Sequence, residues 1–185
     1  MAKPPATAIT ITRNNKQLEL SYFEHLTLIV HDLLSSEGLL EKDGLKLNIK
    51  GYTETVEEYK NLEENNLDAV WQLAKDLNAW SDYLSSMANL IQKYYLDSET
   101  EKAQMLSVVS INADHERVSN GKRIADQDKK VVSVRKKRNV LQSYYNELES
   151  KVKFLERAHY HCKSTYDSAM KKYVVDKSIK ESSTN

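Results

Sequence analysis

The sequence predicts a mainly α fold: an antiparallel hairpin, or coiled coil, of long helices with a small N-terminal β/α cap. Three observations carry this. Positions from Val131 to Tyr173, apolar or aromatic except for Arg138 and His159, recur at alternating spacings of three and four without a break, the signature of a helical seam. A second seam of the same kind runs through Val70, Leu73, Leu77, Trp80, Leu84, Met87, Ile91 and Tyr94. Ahead of both, short alternating segments surround Asn14-Asn15 and Asp43-Gly44, which are hairpin signals because these residue types accept left-handed backbone.

Taken in order, "ITITRNNKQLEL" reads as a β-hairpin turning at Asn14-Asn15. Ser21 then caps a helix through about Ser35, with Phe23, Leu26, Ile29, Val30, Leu33 and Leu34 on its inner side and Gly38 ending it. "LLEKDGLKLNI" reads as a second hairpin. Residues 1–50 are thus expected to form a separate cap, dispensable for the helical part. A helix start is expected at Thr53, opening a long helical domain over residues 53–175. The seam from Val70 weakens at "LDSETE", where Ser98 or Thr100 is expected to cap a further helix ending by Gly121. The last helix, at 1.5 Å per residue, spans roughly 65 Å from Val131 to Tyr173. Residues 176–185 are polar and are expected to be disordered.

A narrow seam on so long a helix has to be covered. The expected partners are the Val70–Tyr94 helix, copies of the same helix, or both. The residues assigned to a homo-oligomer seam are Leu141, Tyr145, Leu148, Val152, Leu155, His159 and Cys162. Trp80 belongs to the first seam, whereas Trp71 faces the cap or a partner.

The formal net charge is zero, but the charges are sorted along the chain. Residues 17–68 hold twelve acids and four bases, a balance of −8, and residues 122–138 hold eight bases and two acids, a balance of +6. Either the basic segment serves a polyanion, or the two segments attract each other within the fold or between subunits. The candidate nucleic-acid-binding residues are Lys129, Lys130, Arg135, Lys136, Lys137 and Arg138, with Tyr144 and Tyr145 as candidate stacking platforms. The other reading is a solvated helix end. Arg138 falls on the seam, so it must meet an acid, a solvent channel or a phosphate.

"HYHC" places His159 and Cys162 three residues apart on the seam. Packing explains both, no further ligand completes a metal site, and no metal or other cofactor is expected. Phosphate-binding glycine loops and nucleophile or zinc-protease motifs are missing, which argues against an enzyme. The lone cysteine and the lack of an apolar leader or span point to a soluble cytoplasmic protein without a membrane partner.

The helix bearing Trp80 and Tyr83, a variable middle, and "DQDKKVVSVRKKRNVLQSYYNELESKVKFLERAHYHCKSTYD" resemble the helical region of UvsY-type phage recombination mediators, over about residues 70–173. The resemblance implies an all-helical, ring-forming, non-enzymatic protein that binds single-stranded DNA. It further implies partners in a RecA-like recombinase and a single-strand-binding protein. The alternative class is a helical structural or adaptor protein of a phage particle or secretion assembly, with no nucleic-acid role.

Overall fold

The computed structural model describes residues 9–13, 16–40, 47–112 and 126–182. Its elements are β1 (Ile9–Arg13), β2 (Lys16–Leu20), α1 (Tyr22–Ser36), α2 (Lys50–Lys60), α3 (Leu67–Asn112) and α4 (Lys129–Ser182). Two compact units are formed, Met1–Leu47 with Met87–Glu147, and Asn48–Ser86 with Leu148–Asn185. Both long helices contribute a segment to each unit, and within each unit they run antiparallel.

In the first unit β1 and β2 pair antiparallel, from Ile9 opposite Leu20 to Arg13 opposite Lys16. The register leaves two residues to turn the chain, as expected of a hairpin, although Asn14 and Asn15 lie outside the described residues. So does the second expected turn at Asp43-Gly44. Ser21 caps α1 through a reciprocal box: its hydroxyl accepts from the Glu24 amide at 3.3 Å, and its own amide donates to Glu24 Oε2 at 2.8 Å. At the other end Gly38 takes φ +69° and its amide donates to the Ser35 carbonyl at 3.0 Å, the conformation that favours glycine after a helix.

Helix α1 is no detachable cap. Phe23, Leu26, Val30 and Leu34 are buried, and Phe23 stacks on Tyr144 of α4 with ring centroids 6.0 Å apart. The sequence division at residue 50 fails because the apolar stripe of α1 finds its partner about 120 residues further along the chain. Along the long helices of this unit, Met87 meets Tyr144 and Glu99 meets Arg138. Rising numbers in α3 are therefore matched by falling numbers in α4.

The expected break in α3 does not occur. The helix passes through "LDSETE" because both hydroxyls turn back onto it: Ser98 Oγ donates to the Tyr94 carbonyl at 2.9 Å and Thr100 Oγ1 to the Leu96 carbonyl at 3.1 Å. A hydroxyl bonded four residues back has no cap to make.

In the second unit the antiparallel pairing is repeated. Trp71 stacks on Tyr166 at 4.8 Å, and His159 Nδ1 lies 2.8 Å from the Ala74 carbonyl. Because a carbonyl only accepts, Nδ1 carries the proton. The helix expected from Thr53 begins at Lys50 and stops at Lys60. A short link follows, and Asn66 restarts the chain as α3, its side-chain carbonyl accepting from the Ala69 amide at 3.2 Å.

Trp80, placed on the seam by its spacing, has partners on another helix. It is half-buried and meets α2, edge-on to Tyr52 at 6.3 Å. A Cβ at Gly51 would stand 2.7 Å from its ring, so glycine lets the backbone of α2 approach the indole. Trp71, expected to face the cap or a partner, is taken by Tyr166, with Lys75 Nζ 5.4 Å from its ring centre. Helix α4 continues to Ser182, past the disordered tail expected from residue 176.

The α4 seam is closed within one chain. Leu141, Leu148, Leu155 and Cys162 are fully buried, whereas Tyr145, Val152 and His159 are half-buried. Tyr144 and Ala158 take the buried places expected of Tyr145 and His159. A seam alone does not set this choice, because flanking helices widen the covered stripe. Helix α1 lies against Tyr144. Helix α2 brings Tyr59 edge-on to Phe154 at 5.9 Å and to His161 at 5.9 Å, which buries the side of α4 that carries Ala158.

Candidate nucleic-acid interface

Helix α4 starts on Asp128, whose Oδ1 accepts from the Lys130 amide at 2.8 Å and the Val131 amide at 3.3 Å. This cap sets the first turn and fixes where every following cation points. The six predicted residues then separate into two groups.

Three are neutralised inside the first unit. Arg135 pairs with Asp126. Lys137 Nζ reaches Glu37 Oε2 at 2.8 Å and Glu101 Oε2 at 3.7 Å. Arg138, the cation on the seam, pairs through Nε with Glu99 and through its terminal nitrogen with Asn139 Oδ1 at 2.9 Å and Gln142 Oε1 at 3.1 Å. Its guanidinium also lies 5.9 Å from the centre of the Tyr95 ring. The demand of Arg138 for an anion is therefore met by an acid of its own chain. Its side chain is 23% exposed, so the pair is worth less than a fully desolvated one.

Glu99 is shared, for Lys102 Nζ lies 3.1 Å from its other oxygen. The hydrogen bond from Lys102, with the charges of Lys102 and Arg138 and the Arg138 hydrogen bond, holds its carboxyl below its ordinary value, against an opposing effect of burial. A carboxylate with a folded-state pKa below its unfolded value stabilises the fold above the unfolded pKa, and that stabilisation is lost as pH falls through the folded value. Wild type and Glu99→Gln should therefore differ in urea midpoint at neutral pH and converge below about pH 4. A midpoint difference that stays constant across that range would show that Glu99 acts through shape, not charge.

The remaining three, Lys129, Lys130 and Lys136, are exposed and have no ion-pair partner among the described residues. Lys129 and Lys136 are seven residues apart and share a face of α4. Beside Lys136 lies a groove of about 390 Å³ whose walls include Ile29 and Leu33 of α1 and Ser133 and Val140 of α4. Ile29 is 39% exposed there. The expected stacking platform at Tyr144 is lost, because that ring is fully buried.

The seam pair from "HYHC" has gone to packing. Cys162 is fully buried, and burial pushes its thiol up, away from the reactive thiolate. His161 points elsewhere, its Nδ1 3.3 Å from the Tyr59 hydroxyl and its Nε2 3.7 Å from Glu64. Among the described residues no group of three or more metal-ligating side chains is assembled, and no helix is long and apolar enough to cross a membrane.

Fold and site together define an antiparallel long-helix protein with an uncovered lysine patch at the start of its last helix. No protein-family model, curated protein or solved structure matches the chain.

Proposed function

We propose that this chain is a non-enzymatic single-stranded DNA-binding protein that acts as a recombination mediator, contacting the strand through Lys129, Lys130 and Lys136. One observation carries the DNA contact. Lys129 and Lys130 occupy the first turn of α4, where the helix dipole disfavours cations by a few tenths of a kcal/mol. Exposed and without an acid partner among the described residues, they gain nothing there for the fold. A phosphate at that position meets both lysines, while the helix end itself is capped by Asp128. The groove beside Lys136 supports the same reading: its wall at Ile29 and Leu33 is apolar, as a base ring requires, and its carboxylates, Glu37 and Glu101, are paired with Lys137. The recombinase and single-strand-binding protein enter as partners through the resemblance to UvsY-type mediators.

The test is fluorescence anisotropy with labelled oligo-dT at low salt. Changing Lys129, Lys130 and Lys136 together to Glu should weaken binding at least tenfold. With three phosphate contacts, the wild-type affinity should fall with a log–log salt slope of about 2, at roughly 0.7 per contact. Equal binding by both proteins, or none by either, removes the proposal.

A second reading is a helical adaptor that joins proteins and has no nucleic-acid role. The internal pairing of Arg135, Lys137 and Arg138 favours it, because half of the predicted basic surface is already neutralised.

A further inference from the structure

Two features of the second unit complement each other but do not satisfy each other. The first is the end of α4. Trp71 stands against Tyr166 and α3 begins at Leu67, so α4 passes the start of its antiparallel partner near Met170. Every residue from Lys171 to Ser178 is exposed. Met170, Tyr173 and Val174 fall on one face by their spacing of three and four, and they are 39%, 63% and 61% exposed. The predicted seam thus runs on beyond the helix that covers it, with Lys171 beside the stripe, about 60° round the helix from Val174, and Lys172 on the opposite side.

The second feature is an open groove of about 630 Å³ between α2 and the first turns of α3. Its floor holds Leu62 and Leu73, and its rim holds Glu54, Glu57, Glu58 and Glu63. Glu57 is paired with Lys60 at 2.5 Å. Glu54, Glu58 and Glu63 have no ion-pair partner among the described residues.

We infer that the chain forms a two-fold dimer in which the exposed end of α4 from one copy lies in the acid-rimmed groove of the other. The stripe of Met170, Tyr173 and Val174 covers the leucine floor, Lys171 meets the glutamate rim, and Lys172 adds to the positive charge of the tail. Because tail and groove belong to the same unit, a two-fold axis satisfies both at once: each copy gives a tail and receives one. The apolar stripe supplies most of the affinity, and the charges select the partner and its register. The occupant is a second copy because both halves of the match, in charge and in apolar character, are carried by this chain. The inference is independent of the DNA-binding proposal, which uses other residues.

Sedimentation velocity of the full chain at micromolar concentration tests it. The wild type should sediment at about twice the 21.3 kDa chain mass, with dissociation favoured by added salt. Lys171→Glu with Lys172→Glu makes the tail acidic, and Glu54→Lys with Glu58→Lys makes the rim basic. Each variant alone should be a monomer of unchanged helicity by circular dichroism. Mixed one to one, they should recover the dimer, because acidic tail meets basic rim at one contact and basic tail meets acidic rim at the other. That recovery separates a designed loss of docking from misfolding. A monomeric wild type, dimers that persist in both variants, or a mixture that stays monomeric would overturn the inference. Loss of DNA binding on reversing Lys129, Lys130 and Lys136 leaves it standing.

Discussion

Leu148→Asp is expected to unfold the chain, not merely to separate subunits. Leu148 is fully buried in α4. The substitution removes an apolar side chain whose loss alone costs about 2–5 kcal/mol. It also places a carboxylate where no counter-charge has been provided, a further penalty of several kcal/mol even after local relaxation. Native domains have about 5–15 kcal/mol in total, so these two losses consume most or all of it. If α4 were instead covered by another copy, the same change would yield a helical monomer. Circular dichroism with light scattering separates the outcomes: loss of most of the helical signal at 25 °C supports the intrachain seam, and a fully helical monomer contradicts it.

The long helices were legible because their signals are local. Alternating spacings of three and four are kept from Val70 to Tyr94 and from Val131 to Tyr173, and Ser21 with Glu24 is a complete start signal within four residues. The break foreseen at Ser98 and Thr100 failed for a local reason too. A serine or threonine can cap a helix or bond back within one, and only the flanking turns decide which. The early stop of α2 at Lys60 and the meeting of Trp80 with Gly51 and Tyr52 depend on how α2 packs on α3, which no periodicity encodes.

The candidate site was half legible. The sequence required an anion for Arg138 but did not identify it, because Glu99 lies 39 residues away and any of many acids would have met the requirement. The same holds for Lys137, whose partners Glu37 and Glu101 come from the end of α1 and from α3. Composition showed a charge balance of +6 over residues 122–138. It did not show that the three cations left uncovered would be Lys129, Lys130 and Lys136.

The same limit explains two adjacent tyrosines, and replacing each by alanine should give very different losses. Heptad spacing selects Tyr145, yet neighbouring residues on a helix point about 100° apart, so only tertiary packing decides which ring enters the core. Tyr144 is the one enclosed. It stacks on Phe23, and its hydroxyl lies 3.2 Å from Thr27 Oγ1 and 3.3 Å from Met87 Sδ. Thr27 sends its single proton to the Phe23 carbonyl at 2.7 Å. The Tyr144 hydroxyl is therefore the donor to Thr27 or Met87, and α1, α3 and α4 converge on this one side chain. Tyr144→Ala should cost about 3–5 kcal/mol, the range for emptying a large buried aromatic site. Tyr144→Phe keeps the ring and loses only the hydroxyl contacts, about 0.5–1.5 kcal/mol. Tyr145→Ala, at a half-buried position, should cost no more than about 1–2 kcal/mol. Urea unfolding of the three variants measures this directly. Equal losses at the two positions would mean that the seam follows the heptad and that α1 does not cover Tyr144.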